Sequence, residues 1–262
     1  MAPAARVVAR PPLRGLSTIL LALTALAAAS TAPAQECLEV VGRWGGDWRV
    51  TRIAADGDRV VLAAGANLVV GTMTGDGRIV DEGTLPLQNE PLLSVAGDLA
   101  AVAFGGSRAW LVDLSAPDRP RIAWRVPGLT GAAGVAMSGR TLLLADYPVG
   151  LVVADVSDPT SPVMTRLPLP GTRRVAFAGD LAVVVASEER DDGSVVETLH
   201  VVDPTGTAPA VLGSCGLSSR YALLTATAQW AYVAWCAEDY PYPCTIQRIF
   251  LDDPSAPVPG PG

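Results

Sequence analysis

Lysine is absent from the 262 residues, and histidine occurs once, at His200. All 19 basic side chains are therefore arginines, set against 26 carboxylates for a net charge of −7. That balance disfavours nucleic acid or an anionic membrane as partner, because phosphate binding needs a cationic surface. The four cysteines, Cys37, Cys215, Cys236 and Cys244, contain no Cys-x-x-Cys spacing. With a single histidine beside them, a zinc site would lack its usual ligands. No Gly-x-Ser-x-Gly, His-Glu-x-x-His, Walker loop or dinucleotide fingerprint occurs, so no enzyme signature is legible and no cofactor is implied. Beyond residue 35 there is neither an apolar run of membrane-spanning length nor a useful amphipathic helical period.

The first 34 residues stand apart. Arg6, Arg10 and Arg14 precede the apolar stretch 16–29, which falls short of the ~20 residues that span a bilayer. Ala32-Pro33-Ala34 supplies the small residues of a cleavage site, so residues 1–34 are expected to be a signal peptide removed near Ala34. The remainder, 35–262, would then be exported to the periplasm, cell surface or medium. It would be more acidic still, since the leader holds basic but no acidic groups. All four cysteines survive, in a compartment that permits disulfides.

What is abundant is repetition. The segments 53–65, 94–105, 136–146 and 176–187 share one pattern, with glycines at Gly57, Gly97, Gly139 and Gly179 and a degenerate fifth copy at 225–235. A period of about forty residues, with strand-length apolar runs, marks a propeller or array. Each unit offers four strands, here a to d; in the third they are 133–137, 141–145, 151–156 and 163–169. Val, Ile and Leu fill them, and Gly, Asp or Pro bounds them. Between c and d runs "DVSDPTSP" (155–162), echoed at 115–120, 204–209 and 252–257. Prolines lack the N–H of a ladder and belong between strands, while Asp155 and Ser157 suit the free backbone groups of a turn.

The expected fold is therefore all-β, a β-propeller of five four-stranded blades. The fifth unit stops after its c–d turn with no legible strand d, whereas an unattached strand lies at 38–46, with Gly42 matching Gly213. The N-terminal strand is expected to complete the last blade and close the ring, which hides two sheet edges.

The pattern Leu-x-Val-x-Asp-x-Ser-x-Pro-x-x-Pro following an Ala-x-Gly-Asp turn resembles the LVIVD-repeat family. It is sharp at 94–120 and 136–162, and weakest in the first unit, where 68–77 lacks both the Asp and the prolines. The resemblance implies a propeller architecture and export. It implies no catalytic residues.

Candidate sites are few. His200 sits between apolar neighbours in a strand c, where no local motif offers a carboxylate and a nucleophile in the same pocket, and is expected to be structural. The polar run 187–197 holds Glu188, Glu189, Arg190, Asp191 and Asp192 without the ligand spacing of a calcium loop, and is expected to be a solvated extension of a b–c hairpin. Cys236 ends a strand b and Cys244 begins the next c, positions that can face each other, so a 236–244 disulfide is expected. The pairing of Cys37 and Cys215 stays open. Both insertions are b–c loops and so enlarge one face. Trp48, Tyr147, Arg190, Asp191, Tyr240 and Tyr242 would form an interaction face there. Trp48 and Tyr147 serve equally well as plugs between blades.

These features suit a non-enzymatic, monomeric exported module that binds a protein or glycan. The alternatives are a propeller hydrolase or lyase using a carboxylate such as Asp47 or Asp146, or a carbohydrate-binding module on the same face.

Overall fold

The computed structural model describes residues 49–87, 89, 91–205, 208–217, 223–236 and 244–260. Among them it forms five four-stranded antiparallel sheets and no helix. The first contains β1 (Val50–Asp56), β2 (Arg59–Ala64), β3 (Asn67–Met73) and β4 (Ile79–Pro86). The second contains β5 (Leu92–Ala96), β6 (Leu99–Ala103), β7 (Ala109–Asp113) and β8 (Arg121–Arg125). The third contains β9 (Ala132–Ser138), β10 (Thr141–Asp146), β11 (Gly150–Asp155) and β12 (Val163–Pro168). The fourth contains β13 (Thr172–Ala178), β14 (Leu181–Glu189), β15 (Val195–Asp203) and β16 (Ala210–Leu217). The fifth contains β17 (Leu223–Ala226), β18 (Trp230–Cys236), β19 (Cys244–Phe250) and β20 (Val258–Pro259).

Every sheet follows the a-b-c-d order expected of a blade. The a strands are neighbours in sequence order: β1 packs on β5, β5 on β9, β9 on β13 and β13 on β17. Strands b and c are apolar on both faces because each sheet is covered on both sides. Leu142, Leu143, Leu144, Leu151 and Val152 are all fully buried, with even and odd positions facing different neighbours. Leu142, Leu144 and Val152 join Leu99, Ala101 and Leu111 of the second sheet, while Leu143, Leu151 and Val153 join Val175, Ala182 and Val184 of the fourth. Strands d are the most exposed, as an outer edge should be.

The short turns between a and b stitch one sheet to the next. Asp56 accepts a hydrogen bond from the Gly97 amide at 2.7 Å, and Asp98 pairs with Arg140 at 3.3 Å. Gly97 and Gly139 have φ of 56° and 52°, the left-handed values that glycine adopts without strain.

The repeated Asp-x-Ser/Thr is the lock of the c–d turn. Asp155 Oδ1 accepts from the Ser157 amide at 2.9 Å and from its hydroxyl at 2.6 Å. Asp203 with Thr205, and Asp253 with Ser255, repeat both bonds. In the first unit, which lacks the motif, Thr74 substitutes: its hydroxyl bonds Asp76 and the Arg78 carbonyl. The hydrogen bonds from Ser157, Thr205 and Ser255 hold the carboxyls of Asp155, Asp203 and Asp253 below the usual carboxylate range. A depressed folded pKa stabilises the fold above about pH 4, and that contribution is lost as pH falls through the folded value. Melting temperature followed from neutral to strongly acid pH should drop, and replacing all three aspartates by asparagine should flatten that drop. An unchanged acid limb in the triple variant would show that these turns do not set it.

The fifth sheet departs from expectation. Residues 38–44, expected to supply its fourth strand, lie outside the described residues. The fourth place is occupied at its lower end by β20, which pairs Val258 with Phe250 and Pro259 with Ile249. The Gly260 amide adds a bond to the Arg248 carbonyl at 2.7 Å. A proline-rich tail can do this because an edge strand needs donors on one side only. The face of the first sheet turned away from the second is buried as well: Val60, Leu62, Ala64 and Val69 are 0–3% exposed.

Candidate functional site

The b–c and d–a connections share one face of the molecule. On it, β14 and β15 run past their neighbours, pairing Glu188 with Val196 and Glu189 with Val195. Their tip is closed by the Arg190 amide on the Ser194 carbonyl and by the Ser194 amide on Asp192 Oδ1. The polar run is thus a hairpin extension, with Arg190 and Asp191 exposed at its end. Among the described residues, no three His, Cys, Asp or Glu side chains are grouped to hold a metal ion.

Tyr147 lies in the β10–β11 turn and is 39% exposed. The guanidinium of Arg173, at the start of β13, lies over its ring at 4.5 Å. Trp48, Tyr240 and Tyr242 lie outside the described residues. The structure therefore joins Tyr147 to a residue that sequence reasoning missed, and places Arg190 and Asp191 on the separate hairpin tip. The aromatics of the second sheet behave as plugs: Phe104 and Trp110 are buried and meet edge to face at 4.5 Å.

Beside Arg173, Arg174 is half-buried. Its Nη1 donates to the carbonyls of Ala133 at 3.1 Å and Arg173 at 3.0 Å. Gly134 makes room for this crossing, since a Cβ there would stand 2.9 Å from the Arg173 carbonyl oxygen. Burial holds Arg174 below the usual guanidinium value. The like charge of Arg173 adds to the effect, Glu197 opposes it, and Arg52 of β1 adds a smaller push. Glu197 is 5% exposed and accepts from the Ser187 hydroxyl at 3.1 Å.

Strand register relates Arg174 to Arg52. A bulge falls at Thr51 in β1, at Ala133 in β9 and at Arg173 in β13, directly before Arg52, Gly134 and Arg174. Those three residues pair with Ala63, Ala145 and Val185, the same position of strand b in each unit. Arg52 and Arg174 are thus equivalent residues of two units, and the bulge redirects the chain there. The available signal was an arginine at the same place in strand a of two units, at 52 and 174.

Two residues weighed for catalysis have other work. Asp146 is 1% exposed. Its Oδ1 accepts the amides of Thr130 at 2.6 Å and Gly131 at 2.9 Å, and Oδ2 holds Arg166 Nη1 at 2.6 Å. Arg166 goes on to the Gly128 carbonyl at 2.7 Å. A carboxylate so enclosed clips a loop and offers no oxygen to a substrate, which corrects its reading as a channel acid; Asp47 lies outside the described residues. His200 meets the Ser214 hydroxyl at 2.7 Å, and burial pushes its pKa down. Cys215 is half-buried and free, its thiol pushed up to about 11 by burial, and it is no ready nucleophile. In backbone register Cys236 stands directly opposite Cys244.

Comparison with solved structures places the fold among β-propellers. A chain from S. cerevisiae, in an assembly of variant Dbp5 with Nup159, Gle1, IP6 and ADP, aligns over 79% of this chain and 59% of its own, with 11% identity and TM-score 0.53. Apo AztD from Citrobacter koseri aligns over 80% of this chain and 57% of its own, with 14% identity and TM-score 0.53. The Cps50 (Swd1) β-propeller domain of Myceliophteria thermophila aligns over 82% of this chain and 68% of its own, with 16% identity and TM-score 0.56. The chain thus spans about three-fifths of the length of the first two, and at such identities the likeness is one of fold. No curated protein sequence matches. Residues 131–166, which are the third unit, match the family model described as LVIVD repeat, in agreement with the resemblance carried by the sequence.

Proposed function

We propose that this β-propeller is exported and acts without catalysis, as a protein-interaction or scaffolding module in the periplasm or at the cell surface, through its b–c and d–a face. The observation that carries this reading is the asymmetry of elaboration. The c–d turns repeat one compact hydrogen-bonded lock, while the hairpin 189–195 and the exposed Tyr147 stand out from the opposite face. Loops on a rigid sheet scaffold are where recognition concentrates. The candidate acid Asp146 is spent on structure, which lowers the case for a hydrolase or lyase.

The test is recovery of partners from an envelope extract by the immobilised protein, compared with two variants. One replaces 188–196 with a two-residue turn, which the Ser187–Glu197 pair can close. The other is Tyr147→Ala. Reduced recovery of the same identified partner by either variant supports the face; equal recovery by both removes it. Terminal sequencing of the secreted product should begin at Gln35, and an intact Met1 on the mature protein would defeat export by cleavage.

The reading also includes a ring closed by residues 38–44 and a disulfide between Cys236 and Cys244. Directly opposed cross-strand residues have Cα separations of about 4.5–5.5 Å, within disulfide range. Non-reducing peptide mapping should find the two linked, and reduction should destabilise the protein by about 2–3 kcal/mol through loop entropy. Free, alkylatable Cys236 in the oxidised protein would refute the link.

A further inference from the structure

We propose that the face of the fifth sheet turned away from the fourth docks residues 38–48 of the same chain, with Trp48 seated in the joint between the fifth and first sheets. The proposal builds on the reading that residues 38–44 close the ring, and states what fills the joint.

The first ground is register. In the third unit the cross-strand pairs Leu143–Val153 and Ala145–Leu151 face the next sheet. Their equivalents in the first, second and fourth units are likewise aliphatic, at most 5% exposed and packed on the following sheet. Counted from the start of strand b, the same places in the fifth unit hold Tyr232–Arg248 and Ala234–Ile246. Ile246 is 47% exposed, Arg248 is exposed and Tyr232 is half-buried. The first sheet does not lie directly on this face. Its own rear cluster, Val60, Leu62, Ala64 and Val69, packs with Val50, Ile53 and Ile79 of the same sheet, and among the described residues no apolar side chain of the fifth sheet joins it. Direct contact would press the Arg248 guanidinium into that apolar surface, burying a charge at high cost.

The second ground is the way the other joints are filled. Leu87, Leu129 and Leu169, each from a d–a connection, pack between the sheets that their connections link. The connection that leads into β1 is 45–49, and its large apolar residue is Trp48. Beside it, Asp47 brings a carboxylate to the face that carries Arg248. Fully extended, that connection spans about 17 Å, enough for the roughly 14 Å between the outer and inner strands of a four-stranded sheet. A layer with apolar side chains and one acid suits both walls of the joint, the apolar rear of the first sheet and the Tyr232–Arg248 face of the fifth.

Photo-crosslinking in the full mature chain tests the seat. The substitution Tyr232→p-benzoylphenylalanine puts a photoreactive ketone on the face, and peptide mass mapping should find it linked to residues 38–48 of the same chain. Links to 50–86, to 237–243 or to a second copy, or no link at all, overturn the proposal. Trp48→Ala should weaken the link and lower the melting temperature by about 6 °C or more. A Trp48 variant that links and melts like the parent removes Trp48 from the joint, and if that variant does not fold the link in the parent chain decides. Ring closure has its own readout. The Arg248 carbonyl bonds Gly260 on the outer edge of β19, so alternation turns the Ile246 amide to the same edge. Fast hydrogen exchange there, beside a positive crosslink, defeats the closing strand alone; slow exchange with links elsewhere defeats the docked face alone.

Discussion

Asp146→Ala is expected to lower the unfolding free energy by about 3–5 kcal/mol, the range for removing one partner of a buried ion pair. Three groups are orphaned at once. The amides of Thr130 and Gly131 lose their acceptor, and Arg166, about one-third exposed, loses its counter-ion. The carboxylate ties the loop leading into β9 to strands β10 and β12, so the consequence is loosening of the link between the second and third sheets. Asp146→Asn should cost roughly half as much, because an amide oxygen still accepts from both amides while the charge on Arg166 goes unmatched. The exposed pair Arg119–Asp118, at 3.5 Å, is the internal control: Asp118→Ala should change stability by no more than about 1 kcal/mol. Urea denaturation of the three variants measures all of this. A loss below 1 kcal/mol for Asp146→Ala would mean that the enclosed carboxylate is not the clip.

The second large effect is expected at two glycines. Gly83 in β4 and Gly213 in β16 each follow a bulge, at Glu82 and Leu212, and each lies against the c–d turn of the next unit. A Cβ on Gly213 would collide with the carbonyl oxygen of Pro254 and the backbone of Ser255; on Gly83 it would collide with the carbonyl of Pro117 and the backbone of Asp118. Backbone held by an Asp-Ser lock cannot swing aside as a flexible side chain can. Each Gly→Ala change should therefore cost about 3 kcal/mol or more, at or above the upper end for overpacking. Gly97→Ala provides the contrast: its φ is 56° but nothing stands within 4 Å of an added Cβ. That variant should lose only the left-handed penalty of about 1–2 kcal/mol. If all three variants melt together, the turns are not pressed against the neighbouring strands.

These two regions differ in how far the chain announces them. The four-strand unit, its Gly turns and the Asp-x-Ser lock were legible, because each arises from residues within a few positions of one another. The alternation of faces in 141–146 was likewise local, set by a strand's period of two. The strand at the end of the last sheet was not legible, since Val258–Pro259 resembles a tail. Its pairing with Phe250 and Ile249 depends on an edge left open by tertiary neighbours, not on strand propensity. The Asp146–Arg166 clip was missed because its members stand on different strands, and neither position is marked by type. Gly83 and Gly213 read as weak points in a strand until the next unit's turn is seen to occupy the space.

The sequence alone, then, determined the repeat, the strand order within each unit and the face that carries the insertions. Hydrogen-bond geometry and apolar periodicity operate over short stretches of chain. Tertiary structure alone decided what the inner arginines touch. Arg174 of the fourth unit donates to the Ala133 carbonyl of the third, and only packing of successive inner strands, each with its bulge, brings the two within reach. Electrostatic interaction depends on distance in space, and no local pattern records that distance.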